Sequence, residues 1–402
     1  MKILHVIASM DPAHGGPAQG IRNLDTAMRI VGVEREVVCL DASDALYLGR
    51  DKFKIHALGK GIGPWRYNSK LKRWLLSNLE RFDVVIINGL WLYTGFITWR
   101  TIQRMKLSNS QVKIPKLFVM PHGMLDPYFQ KAPERKWKSR RNKIYWKLIE
   151  KRVINDADGL LFTCQTELLL AREAFENYCP RQEHNVGYGI VPPPLFEPTM
   201  ADALLIQCPE LAGQKYWLFL SRIHPKKGID NLIKAYLEIH RKFSSKTCIP
   251  KLVIAGPGMN SAYGEALKQG VEKAPELDGS VIFPGMMSGE FKWGAFYGCE
   301  AFILPSHQEN FGIAVVEALA CGKPVLISNQ VNIWREIEEN GSGIIAADDV
   351  SGAEQLLTSW LNLSIDQRTI MHKQATKTFE RYFLVYNVVD NYLKVFDEAL
   401  VS

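Results

Sequence analysis

Two glutamates eight positions apart, Glu309 and Glu317, stand in the stretch 306–320, where a polar loop meets an apolar segment. Glu309 lies on a polar loop after an apolar run. Glu317 falls in the second turn of an otherwise apolar helical segment, 313–320, which Gly312 opens. A carboxylate at that point is costly unless something pairs with it. Two carboxylates at one end of a sheet first suggest acid–base work. Arg222 and Lys227 follow another apolar run in Ser221-Arg222-Ile223-His224-Pro225-Lys226-Lys227-Gly228. A planar fork and a compact point charge together suit a diphosphate, against the plainer reading of two solvated loop charges. His122, in Pro121-His122-Gly123, follows a third run, with Asp126 a weaker candidate beside it; a lone histidine is more often a packed or capping ring. Gly15-Gly16-Pro17 follows the first run. Such a turn lets the backbone approach a ligand and presents N–H groups to an anion, although a tight strand-to-helix turn is the plain alternative. It is not a Gly-x-Gly-x-x-Gly fingerprint, which argues against a nicotinamide dehydrogenase.

The elements that must position these residues share one grammar in both halves of the chain. Strands are expected at 2–7, 35–40, 83–88, 116–120, 159–163 and 186–191, then at 216–220, 251–256, 280–285, 301–305, 324–328 and 342–346. Helical patterns lie between most of them, so each half reads as right-handed βαβ units on a parallel sheet. Val191-Pro192-Pro193-Pro194 cannot continue a strand or helix and makes a stiff linker. The expected fold class is α/β, two Rossmann-like domains facing across a cleft, at 1–191 and 195–384. A final amphipathic helix, about 385–402, is expected to pack back on the first domain. Candidate residues at strand ends face the ligand-binding edge of such sheets.

Composition is that of a globular protein, 47% hydrophobic and 23% charged over 402 residues. The start reads as a short strand rather than a signal peptide, and no apolar segment approaches the roughly 20 residues that span a bilayer. The seven cysteines lack metal-ligand spacing and read as reduced core residues, pointing to the cytoplasm. Charge is uneven: residues 1–191 carry +12 and residues 192–402 carry −5. The excess sits in a basic helix at 66–76 and in 131–152, where ten Lys/Arg meet two Asp/Glu with Trp137, Tyr145 and Trp146 interleaved. One reading is a solvated helix face with aromatics packed on the sheet; the other is adsorption to an anionic membrane surface, at the inner face of the membrane. No nucleic-acid fold signature surrounds the patch, so nucleic acid is not an expected partner.

Taken together, Gly15-Gly16 after the first strand, the His122 loop, Arg222…Lys227-Gly228, and Glu309 followed by Glu317 resemble the retaining glycosyltransferases of family 4, which have the GT-B fold. The resemblance covers nearly the whole chain and departs at Ser221, where the family often has Gly. It implies a nucleotide-sugar donor on the second domain and no metal or other cofactor. Arg222 and Lys227 would neutralise the diphosphate, joined by backbone N–H groups along Asn310, Phe311, Gly312 and Ile313 at a helix start. Glu317 would hold the ribose and Glu309 the donor sugar, in place of the acid–base pair first suggested. Phe283 and Gly285 would meet the base; Gly15 and Gly16 would approach the diphosphate or acceptor; His122 would position the sugar or acceptor. The implied reaction moves a hexose, from UDP-hexose ahead of other nucleotides and UDP-glucose among these, to a glycan or polyprenyl-diphosphate-linked acceptor in polysaccharide biosynthesis. A nucleotide-sugar epimerase on the same fold and a non-catalytic nucleotide- or glycan-binding relative remain the alternatives. A pyridoxal-phosphate phosphorylase is disfavoured by length.

Overall fold

The computed structural model describes residues 1–108, 112–131, 136–243 and 248–401. The chain forms two compact units, Met1–Ile190 with Val385–Ser402, and Val191–Leu384. The first unit holds a seven-stranded parallel sheet: β1 (Lys2–Val6), β2 (Glu34–Cys39), β3 (Lys54–Ala57), β4 (Val84–Asn88), β5 (Lys116–Met120), β6 (Gly159–Phe162) and β7 (Glu183–Asn185). Their spatial order is β3-β2-β1-β4-β5-β6-β7. The second unit holds six parallel strands: β8 (Tyr216–Leu220), β9 (Lys251–Ala255), β10 (Val281–Gly285), β11 (Ala301–Leu304), β12 (Val325–Ser328) and β13 (Gly343–Ala346), ordered β10-β9-β8-β11-β12-β13. In each sheet the strand order reverses beside the first strand of the unit, the position where open α/β sheets bind ligands beyond their carboxyl ends.

Strands buried on both faces are apolar throughout and so were legible to within a residue: β8, β11 and β12 are almost entirely buried. Two edge strands depart from expectation. β7 lies at Glu183–Asn185, not at 186–191. The later segment buries Val186, Tyr188 and Ile190 against neighbouring elements without joining the sheet, and Gly187 turns it with φ +82°. β3, Lys-Ile-His-Ala, is polar and half-buried, as an edge strand can be, and carries no apolar run to announce it.

The last helix, Val385–Val401, belongs to the first unit. It buries Val385, Val388, Val389, Tyr392 and Phe396, which share one helical face, against Ile3 and Phe118 of the sheet and Met28 of the helix Asp25–Ile30. The Phe118 and Phe396 rings lie 5.1 Å apart. Each such side chain contributes roughly 1.5–3 kcal/mol of burial.

The basic stretch 131–152 lies partly outside the described residues, at 132–135. Beyond them runs a helix, Lys136–Tyr145, which passes into a π-helical turn, Trp146–Glu150. The structure divides its aromatics: Tyr145 and Trp146 are buried, whereas Trp137 is 82% exposed. Ile144 and Leu148 are exposed on the same helix, in line with Trp137 at helical spacing. In the earlier basic helix, Ser69–Asn78, Leu71 and Leu75 are buried, and Leu76 is exposed. Among the described residues no helix is long and apolar enough to cross a membrane, and no group of three or more His, Cys, Asp or Glu could hold a metal ion. All seven cysteines are free thiols; Cys179 and Cys248 are exposed and the others buried.

Candidate functional site

In the second unit, the loops leaving β8 and β11 lie against each other. The His307 N–H donates to the Lys226 carbonyl, 2.9 Å away. Gly228 caps the short 3-10 turn Pro225–Lys227 in the left-handed region, and any Cβ there would collide with the Pro305 carbonyl oxygen. Gly256, after β9, is equally constrained by the Ser221 carbonyl oxygen. These two glycines serve loop-on-loop packing. Gly15, Gly16 and Gly285 differ: a Cβ would meet nothing within 4 Å, so their backbone is open to an approaching ligand.

Packing of the two loops turns Lys227 inward. It is buried and forms an ion pair with the Glu309 carboxylate. Glu309 is itself fixed through its backbone: its N–H donates to the Gln330 carbonyl and its carbonyl accepts from the Asn332 N–H, both at 2.9 Å. Arg222 is exposed and makes no ion pair or hydrogen bond among the described residues. Of the two candidate cations, one is internally matched and the other is unmatched.

Glu317 sits on the helix Ile313–Ala320, which Gly312 caps at φ +81°. Its cost of burial is met by Lys292, from the helix Gly289–Gly298, whose ammonium lies 2.7 Å from the Glu317 carboxylate. Burial pushes the Glu317 carboxyl above its ordinary value, and the Lys292 charge and hydrogen bond oppose that. Lys292 also lies 4.3 Å from the Trp293 ring centroid. The Ile313 and Ala314 N–H groups precede the first bonds of the Ile313–Ala320 helix, which Val315 and Val316 make to the Gly312 carbonyl, and this end carries the positive dipole. Nearby in the chain, Ser306 Oγ and Asn332 Nδ2 are buried without a partner among the described residues. Phe283 lies half-buried on β10. The second unit therefore brings Lys227, Glu309 and the loop bearing Arg222 together, with Glu317 held five residues into the adjoining helix. Such a set offers cations and N–H groups to an anion and carboxylates to hydroxyl groups.

In the first unit the exit from β1 is pinned. Asp41 accepts from Ser9 Oγ at 2.5 Å, from the Met10 N–H at 2.7 Å and from the Tyr47 hydroxyl at 2.8 Å. Burial acts to raise the Asp41 carboxyl, but these hydrogen bonds outweigh it and hold its pKa below the ordinary value. Arg22 donates to the Met10 carbonyl at 2.8 Å, and the Tyr188 hydroxyl to the Gly16 carbonyl at 2.7 Å. Gly15, with φ +86°, and Gly16 thus stand in a loop fixed on both sides. His122 lies just past β5, with φ +52°, an uncommon value for a residue with a side chain. Its Nε2 is 3.1 Å from Asn88 Oδ1, and burial pushes its pKa down to about 4. The ring is neutral at neutral pH. Asp126 accepts from the Tyr128 N–H at 2.8 Å and serves as a turn cap.

Sequence reasoning missed Lys292, Asn88 and Asp41. Asn88 did leave a signal, as the polar residue closing the apolar strand Val84–Asn88. Lys292 left only its place in the otherwise apolar Phe291-Lys292-Trp293.

Residues 15–186 match the family described as glycosyl transferase 4-like domain, and residues 207–378 the family described as glycosyl transferases group 1. The chain is 28% identical over 201 residues to 2-deoxystreptamine N-acetyl-D-glucosaminyltransferase of Niallia circulans, covering 48% of this chain and 49% of that one. It is 24% identical over 199 residues to O-antigen chain mannosyltransferase C of Escherichia coli, again 48% and 49%. The chain thus spans about half the length of these curated relatives. Among solved structures, Anabaena HepE in complex with UDP is similar with a TM-score of 0.74 at 16% identity, covering 99% of this chain and 100% of that one. Sucrose-phosphate synthase from Thermosynechococcus elongatus is similar with a TM-score of 0.71 at 17% identity, covering 100% and 99%. These likenesses give the fold, that of GT-B proteins with two parallel α/β domains.

Proposed function

We infer a function from one premise: this chain belongs to the glycosyltransferases, its first half a 4-like domain and its second a group 1 domain. It moves a hexose from a nucleoside-diphosphate sugar to a hydroxyl of a glycan or a polyprenyl-diphosphate-linked oligosaccharide, with retention at the anomeric carbon and without a metal. The observation that carries this reading is the pairing in the second unit of a buried Lys227–Glu309 ion pair with the unmatched, exposed Arg222 on the same loop as Lys227. UDP is favoured as the nucleotide because similar structures were solved with UDP and with UDP-glucose.

The roles follow from charge. Arg222 and Lys227 take the diphosphate, and the dipole end of the Ile313–Ala320 helix adds to the same anion site. Arrival of the diphosphate draws the Lys227 ammonium from the Glu309 carboxylate, which turns to the hydroxyls of the donor sugar. Glu317, paired with Lys292, accepts from the ribose hydroxyls. Gly285 and Phe283 lie along the base. In the first unit, the fixed Gly15-Gly16 loop and His122 serve the acceptor and the transferred sugar. The bond between the anomeric carbon and the phosphate oxygen breaks, leaving its electrons on the diphosphate. The acceptor oxygen bonds to the same face of the carbon, and its proton passes to the departing phosphate oxygen. Negative charge grows on the diphosphate as the barrier is crossed, so groups that hold it there lower the barrier directly.

Proton NMR of the new linkage is the test. An α-linked product from an α-linked donor is expected, and a β product ends the retaining assignment. Conversion of donor to an isomer without acceptor would instead identify an epimerase.

Anionic lipid is the proposed surface partner of the first unit, through Trp137, Ile144 and Leu148 exposed among Arg140, Arg141 and Lys147. Each basic residue near the headgroups adds about 1 kcal/mol. In vesicle flotation with anionic lipid, binding is expected to fall as salt rises and to drop at least tenfold in Trp137→Ala/Leu148→Ser. Salt-insensitive binding, or none, rejects this partner.

A further inference from the structure

Glu317 has two carboxylate oxygens, and the second unit matches only one of them. Oε1 accepts from the Lys292 ammonium at 2.7 Å. Oε2 has no partner among the described residues, and burial does not seal it off: the side chain keeps 16% of its surface exposed. An ion pair built only to offset the burial of a charge would satisfy both oxygens. Lys292 is itself held in place. It stands on the helix Gly289–Gly298, and its Nζ lies 4.3 Å from the Trp293 ring centroid and 5.8 Å from that of the buried Phe296. Ring faces attract a cation, so the ammonium has a fixed seat, and so has the oxygen it holds. The helix beneath is clamped too: a Cβ at Gly294 would collide with the Met200 carbonyl oxygen of the helix Pro198–Gln207. With Oε1 taken, Oε2 keeps both of its acceptor positions. That number matches a vicinal diol, whose two hydroxyls can donate to one oxygen.

We propose that Lys292 is a positioning residue: by holding Oε1 it fixes the Glu317 carboxylate with Oε2 open, so that the diol of a ribose is read at that one oxygen and ribonucleotides are selected over deoxyribonucleotides. The contact between Glu317 and ribose rests on the function proposed above; its dependence on Lys292 does not follow from that function. Without the ammonium, the carboxylate is free to turn, and neither oxygen is preorganised for the ligand.

Titration calorimetry of the full chain with UDP, GDP and ADP, each beside its 2′-deoxy counterpart, tests this. The wild type is expected to bind one ribonucleotide about tenfold tighter than its deoxy form, the factor of one hydrogen bond to a charged group. Lys292→Met keeps an unbranched side chain against the two rings but loses the ammonium. It is expected to weaken the ribonucleotide about tenfold and the deoxy form less than about threefold, so that the preference largely disappears. Lys292→Leu serves in its place if the methionine variant does not fold. Because Lys292 acts through Glu317, Lys292→Met/Glu317→Gln is expected to bind no worse than the weaker-binding single variant. Equal weakening of both forms, an unchanged preference, or losses that multiply in the double variant overturns the proposal. If the wild type binds a ribonucleotide without preference over its deoxy form, this role falls and the donor reading stands. If it binds none of the nucleotides, the donor reading fails and takes this role with it.

Discussion

Arg222→Ala and Lys227→Ala are each expected to lower turnover by at least a hundredfold, with the fold intact. A preorganised charged donor aimed at developing negative charge is worth on the order of 3 kcal/mol, which is about a hundredfold in rate. The two variants differ in their side effects. Arg222 is exposed and unmatched, so its loss is expected to change stability by no more than about 0.5 kcal/mol. Lys227→Ala strips the Glu309 carboxylate of its cation; because Glu309 keeps some solvent exposure, water replaces part of that interaction. Single-turnover rates with donor in excess, read beside melting temperatures, separate the two effects. Near-normal turnover in both variants removes the diphosphate role.

The second large effect concerns stability and pH. Between pH 5 and 8 the wild type is expected to lose about 4 kcal/mol relative to Glu150→Gln. Burial pushes the Glu150 carboxyl from its ordinary value up to about 8, with a hydrogen bond from the Trp91 N–H opposing the shift. A folded pKa raised above the unfolded one means that the native state holds a proton the unfolded chain has released. Stability is therefore full below the unfolded value, 4.5, and falls as pH rises toward 8. His5 and His122 act in the opposite sense. Burial lowers both, so they contribute stability above their unfolded value that is lost as pH falls. Those contributions cancel in the difference between wild type and Glu150→Gln. Urea unfolding at several pH values reads that difference, and parallel curves refute the assignment. The group has a structural reason to be there: Trp91 follows β4 with φ +68°, and Glu150 Oε2 accepts its N–H at 3.1 Å. A glutamine keeps that acceptor.

What the sequence disclosed, and what it withheld, follows from how each feature is made. Strands such as Tyr216–Leu220 and Lys116–Met120 were readable because burial on both faces demands continuous apolar residues. β3 and β7 lie at sheet edges, where hydrogen bonding rather than burial holds a polar strand, and periodicity is silent there. The costly carboxylate at Glu317 announced a partner, but not that the partner was Lys292, because the pair spans two helices. Lys227 and Glu309 were each visible as strand-end charges; their ion pair joins residues 82 positions apart and needs the loops packed to exist. Glycines at 15, 16, 228 and 256 look alike in a sequence. Only their surroundings distinguish the open pair from those jammed against a carbonyl. The aromatics at 137, 145 and 146 likewise looked equivalent, but Tyr145 at the helix end and Trp146 in the π turn are buried and Trp137 is exposed.

The second unit is proposed to bind a nucleoside-diphosphate sugar through Arg222 and Lys227. A thermal-shift panel of UDP-, GDP- and ADP-sugars, run on the wild type and on Arg222→Ala, tests it most directly. A donor present at 100 times its dissociation constant stabilises the protein by roughly 2.7 kcal/mol. A clear rise in melting temperature is expected with one nucleotide class, UDP-sugars first, and that rise is expected to be largely lost in Arg222→Ala. No rise with any nucleotide sugar, or a full rise in Arg222→Ala, would contradict it.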